Sequence, residues 1–154
     1  MKHIAAAVML CAASFTAIAQ QDVTFSADDG TFTVVSSATG KVTRADPFVS
    51  VELQRHTMRA SKKFKESVEV YAYKVGLAFT NSSGRWDIAR WSEPVKQDFV
   101  LKPGDTKLIP PHTALIPIDH MPSLKGYWLV LAIETTNTKK TSGFTYSHSQ
   151  KGLF

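Results

Sequence analysis

Two Arg-Trp steps stand five residues apart in Arg85-Trp86-Asp87-Ile88-Ala89-Arg90-Trp91. An indole offers a flat apolar face to a sugar ring or a partner's anchor, and a guanidinium offers a planar fork of donors. Exposed Trp and Arg are the residues from which interface hot spots are most often built. Successive side chains of a strand point to opposite faces. The odd spacing therefore predicts Trp86 and Trp91 on opposite sides, with at least one of them in the core. The second charged feature, from Arg55 to Lys65, carries Arg55, Arg59, Lys62, Lys63 and Lys65, with no acid between Glu52 and Glu66. Such a cluster can hold phosphate, an anionic glycan or an acidic protein surface. As a solvated face it would also keep a β protein soluble and its edges unpaired.

Catalytic chemistry finds less support. His56, His112, His120 and His148 include no His-x-His or H-E-x-x-H spacing. A metal-assisted hydrolase would have to assemble two histidines and a carboxylate from His112, Asp119 and His120. No serine sits in a G-x-S-x-G elbow, and no glycine loop of phosphate-cradling type is present. Asp28-Asp29 precedes Gly30 and reads as a turn pair, whereas Glu66 and Glu69 read as surface charge. The sequence thus assigns no catalytic residue, no cofactor and no metal ligand, and the chain reads as a non-enzyme.

The segments that must position these residues begin after an export signal. Lys2 and His3 precede an apolar run from Ile4 to Ala13, and Ala17-Ile18-Ala19 supplies small residues before Gln20. That is the pattern of a cleavable signal peptide over 1–19, leaving one domain over 20–154. The apolar run is too short to span a bilayer, which takes roughly 20 residues. Leu10 before Cys11 disfavours lipid attachment. Cys11 is the only cysteine, so the mature domain must be stable without disulfides, and cysteine-ligated zinc is excluded. Loss of Lys2 lowers the net charge from +5 to +4, a mild bias that disfavours nucleic acid and suits anionic envelope partners.

Apolar residues recur with a period of two. Val49, Val51 and Leu53 share one face, as do Val95, Phe99 and Leu101. Between Ser67 and Thr80 the apolar parity switches, which predicts a bulge near Lys74-Val75-Gly76. Tyr127–Ile133 is apolar at every position and reads as a central strand covered on both faces. Turns are expected at Asp28-Asp29-Gly30, Ala38-Thr39-Gly40-Lys41, Asn81–Gly84 and Pro103-Gly104-Asp105. Met58–Lys65 has helix-forming composition, and Thr135–Gly143 reads as a long hairpin loop. Pro103, Pro110, Pro111, Pro117 and Pro122 place their stretch at a sheet edge or in an extended connection.

These patterns predict an all-β antiparallel sandwich. The turn Leu101-Lys102-Pro103-Gly104-Asp105-Thr106 resembles a connection common in immunoglobulin-like sandwiches, and the expected character is immunoglobulin-like in that general sense. A membrane barrel ending at Phe154 is disfavoured, because of the alternate residues before it only Tyr146 is apolar. The function expected is that of a periplasmic or secreted binding protein, not an integral membrane protein. Its partner would be another envelope protein, met at a sheet edge or at Arg85, Trp86, Arg90 and Trp91. The alternative is an anionic glycan or lipid held by the 55–65 segment.

Overall fold

The computed structural model describes residues 19–27, 33–139, 142–149 and 152–154. The signal-peptide segment up to residue 18 and the Asp28-Asp29-Gly30 turn lie outside the described residues. Eleven strands follow one another: β1 (Gln20–Ser26), β2 (Val34–Ala45), β3 (Phe48–Leu53), β4 (His56–Ala60), β5 (Val68–Thr80), β6 (Trp86–Trp91), β7 (Val95–Leu101), β8 (Thr106–Ile109), β9 (His112–Pro117), β10 (Trp128–Asn137) and β11 (Ser142–Ser149). All pairings are antiparallel, and the strands form one sheet in the order β6-β5-β10-β11-β1-β2-β3-β9. β4 joins this path by pairing with β2 and β8, and β7 by pairing with β5. The sheet curls until it is nearly closed into a barrel. Among the described residues a seam without strand pairing runs between the β6/β7 edge and the β8/β9 edge, crossed by an edge-on contact of Tyr73 with His112 at 6.3 Å. The likeness of the Leu101–Thr106 turn to immunoglobulin-like sandwiches does not extend to this connectivity, since the sheet is continuous.

The curl comes from strands that bend. β2 pairs with β4 through Val34–Ser37 and with β3 through Gly40–Ala45. At the change of partner a Cβ on Gly40 would lie 2.8 Å from the Glu52 carbonyl oxygen, so only glycine fits there. Ala38–Lys41, expected as a turn, is therefore strand throughout. β3 and β4 act as a second bent strand with its corner at Gln54-Arg55, and β8 and β9 as a third, with its corner at Pro110-Pro111. Prolines at that corner and at Pro117 sit on an edge that needs no donor, as their chemistry requires.

Val49, Val51 and Leu53, together with Leu129, Leu131 and Ile133, point into the buried core, where Val95 and Phe99 pack against it and Leu101 belongs to it. Charged residues such as Lys41, Glu52, Glu69 and Asp98 are exposed. Apolar inward and polar outward is the reverse of a membrane barrel's polarity. Phe154 lies outside any strand, its amide donating to Gln21 Oε1 at 3.0 Å. Among the described residues no helix is long and apolar enough to cross a membrane.

Three local expectations are corrected. Met58–Lys65 is not helical: Met58 and Ala60 are buried while Thr57 is exposed, a period of two imposed by pairing with β2 and β8 that overrides helix propensity. The bulge in β5 falls at Tyr71, between Val70 and Ala72, and not at Lys74–Gly76. The Thr135–Gly143 loop is shorter than expected, since β10 continues to Asn137 and β11 begins at Ser142.

Candidate functional site

Among the described residues β6 pairs with β5 alone, and its far edge faces β9 across the seam without pairing. Thr80 opposes Trp86, Ala78 opposes Ile88, Leu77 opposes Arg90 and Gly76 opposes Trp91. Ala89 is the residue without an opposite, a bulge in the edge strand. Gly76, Ala78 and Thr80 alternate along β5, so the two tryptophans opposite Gly76 and Thr80 share one face. The expectation that Trp86 and Trp91 point to opposite sides is thus overturned, and neither belongs to the core. The extra residue turns an odd spacing into an even one.

That shared face is the outer one. Val130 lies between Gly76 and His148, and Ala132 between Lys74 and Tyr146. Ala78, Val130 and Ala132 are wholly buried yet stand outside the inner core, so large side chains cover them from outside. Trp86 reaches across β5 and β10 to β11, where its ring meets Tyr146 at 5.2 Å and His148 at 5.4 Å, both edge-on. Such aromatic pairs contribute about 0.5–1.5 kcal/mol beyond burial. Trp91 lies against Gly76, where a Cβ would come within 2.6 Å of its ring. Lys74 stands 4.3 Å over the Trp91 ring and pairs with Glu134 at 3.1 Å. Trp86 remains 42% exposed; Arg85, Asp87 and Arg90 are exposed as well, the last two opposite Phe79 and Leu77 on the other parity of the strand. Burial lowers the pKa of His148 below the ordinary histidine value.

The connection to β7 is tied to β5. Ser92 fills the gap between β6 and β7: its amide donates to the Val75 carbonyl at 2.8 Å, and its hydroxyl accepts from the Val75 amide at 2.9 Å. Nothing in the sequence marks Tyr146 and His148 as partners of Trp86. Their only signal was alternation of aromatic side chains along the last strand, which marks a face without saying what meets it.

The basic segment is divided in two. Thr57 and Arg59 on β4, with Arg55 at the corner before it, line a cleft of about 440 Å³ together with Val35, Ser37 and His56. Lys62, Lys63 and Lys65 lie in the connection to β5, all exposed, with the Lys62 methylenes beside Gly104. His56 itself is buried in the first position of β4, its ring edge-on to Tyr73 at 5.9 Å.

His112, Asp119 and His120 are not brought together. His112 opens β9, and Asp119 and His120 lie beyond its other end. Asp119 and His120 instead line a cleft of about 570 Å³ with Arg44, Asp46, Pro47, Ile118, Met121 and Pro122. There Arg44 holds Asp46 at 3.1 Å and donates to the Met121 and Pro122 carbonyls at 3.0 and 3.4 Å. Its donors thus tie the end of β2 to the loop after β9. Among the described residues no group of three or more His, Cys, Asp and Glu is placed to hold a metal ion. No family model and no curated protein sequence matches the chain.

Proposed function

We propose that this chain is an exported, non-catalytic binding protein, periplasmic or secreted, that engages another envelope protein through the outer face and open edge of β6. The observation that carries the reading is Trp86. It is a large indole, 42% exposed, fixed edge-on by Tyr146 and His148, with the exposed Arg85 next to it in the chain. A rigid, half-exposed aromatic with charged neighbours is what an interface hot spot consists of, since little side-chain entropy remains to be lost on binding. The β6 edge adds backbone donors and acceptors not used by β5, next to the seam where β9 approaches. Export rests on the signal-like pattern over 1–19, and β1 starts at Gln20, directly after the small-residue site. The separation of His112 from Asp119 and His120 weighs against the hydrolase alternative.

The test is recovery of a partner from the periplasmic and secreted fractions, followed by titration of the purified partner. Wild type is expected to bind, and Arg85→Asp and Trp86→Ala to weaken binding by tenfold or more, roughly 1.4 kcal/mol. Arg85→Asp leaves the aromatic layer intact, so its loss of binding is not a folding effect. Equal affinity in all three proteins would overturn the reading. The recovered mature chain is expected to begin at Gln20.

A further inference from the structure

We propose that the cleft between β2 and β4 is a second binding site, specific for a tetrahedral oxyanion of the phosphate or sulfate class. It lies away from β6 and does not depend on the reading given for Trp86. Thr57 and Arg59 alternate along β4, so their side chains rise from the same face about 6.6 Å apart, and Arg55 at the corner before β4 lines the same cleft. Thr57 stands directly opposite Ser37, which sets two hydroxyls side by side between two guanidiniums. The cleft of about 440 Å³ is lined by these four residues with Val35 and His56, and no acidic residue lines it.

The composition selects the ligand. A guanidinium presents five N–H donors in a planar fork that matches two oxygens of an oxyanion, so Arg59 can grip one while keeping a contact within the protein. Two forks and two hydroxyls offer more donors than the two oxygens of a carboxylate can accept, and a group with three or four oxygens can accept them. Val35 is almost fully buried beneath the half-buried Arg59 opposite it. That apolar floor keeps water from one side of the charges and so strengthens their pull. Lys62, Lys63 and Lys65 do not line the cleft, so the basic run as a whole is not the site.

The test is calorimetric titration of the purified mature protein with inorganic phosphate and sulfate at low ionic strength. Wild type is expected to bind either ion. Loss of one charge-assisted contact in Arg59→Gln or Arg55→Gln is expected to weaken binding roughly tenfold or more. Thr57→Val is expected to weaken it severalfold at unchanged net charge, whereas Lys62→Gln/Lys65→Gln should leave it within about twofold. Failure of wild type to bind phosphate or sulfate would overturn the proposal. So would a loss in Lys62→Gln/Lys65→Gln as large as in the arginine variants, because binding would then follow net charge alone. Flotation with phosphatidylcholine vesicles, with and without phosphatidic acid, identifies the source. Thr57-dependent flotation only with phosphatidic acid assigns a lipid headgroup, and phosphate binding without flotation assigns a soluble phosphate or sulfate ester.

Discussion

His56 occupies a position where its chemistry and its surroundings disagree. It is only 4% exposed, its Nδ1–H donates to the Gln54 carbonyl at 3.1 Å, and its Nε2 has no hydrogen-bond partner among the described residues. A second proton would put an uncompensated charge in the core. Burial accordingly lowers its pKa below 6.5, and the Gln54 hydrogen bond opposes this only in part. The unfolded chain therefore takes up the proton first as pH falls. The stability contributed by a neutral His56 is complete above about pH 6.5 and is lost progressively as pH drops toward the folded-state value. Urea midpoints are expected to fall between pH 7.5 and pH 5, and His56→Phe to flatten that slope, leaving the part due to His148. A slope unchanged by the substitution would show that His56 is not its source. Gly76 is a constraint of a different kind, because the Trp91 ring occupies the space of a Cβ. Gly76→Ala is expected to cost about 1–3 kcal/mol through overpacking, and less in a Trp91→Ala background. Thermal melts of the four proteins in that double-mutant cycle measure the coupling.

Among the elements, β6 shows how one residue decides what a strand presents. The pairs on either side of Ala89 agree with each other once that residue is set aside. Deleting Ala89 is therefore expected to straighten the edge while keeping Trp86 and Trp91 on the outer face. Near-UV circular dichroism and partner affinity should stay close to wild type. Loss of both signals would mean that the local twist of the bulge, and not the shared face, places Trp86. The same strand marks where sequence reasoning stopped. Alternation made β3, β7 and the doubly covered β10 legible, because their apolar residues are large and their pairing is regular. A bulge leaves no residue type behind, so spacing alone sets Trp86 and Trp91 on opposite faces where the register sets them on one. In β5 the parity switch was visible, but Ala72 is small enough to be buried on either face. It opposes Glu134 on the outer side, and that ambiguity moved the expected bulge away from Tyr71. Of the candidate sites, the Arg-Trp segment and the basic run were visible as composition. The Ser37–Thr57 pairing and the Trp86 contacts with β11 were not, since both depend on which strands become neighbours.

For the molecule as a whole, the unsealed seam leaves two strand edges that could template association with other chains. On one side Pro110, Pro111 and Pro117 remove donors from the β9 region. On the other, the exposed charges of Arg85, Asp87 and Arg90 surround the β6 edge. The triple change Arg85→Val/Asp87→Val/Arg90→Val is expected to convert a concentration-independent hydrodynamic size into one that grows with concentration, as read by light scattering. A variant that stays the size of wild type would show that the edge is blocked by something else. The strand order carries one more implication. The first strand, β1, lies beside the last, β11, and β5 waits for β10. The sheet cannot be assembled until β10 and β11 are present, and pairings between segments so far apart in sequence form slowly. A chain interrupted before β10 therefore leaves β5 and β1 each with an unpaired edge, and such a truncation is expected to aggregate rather than fold.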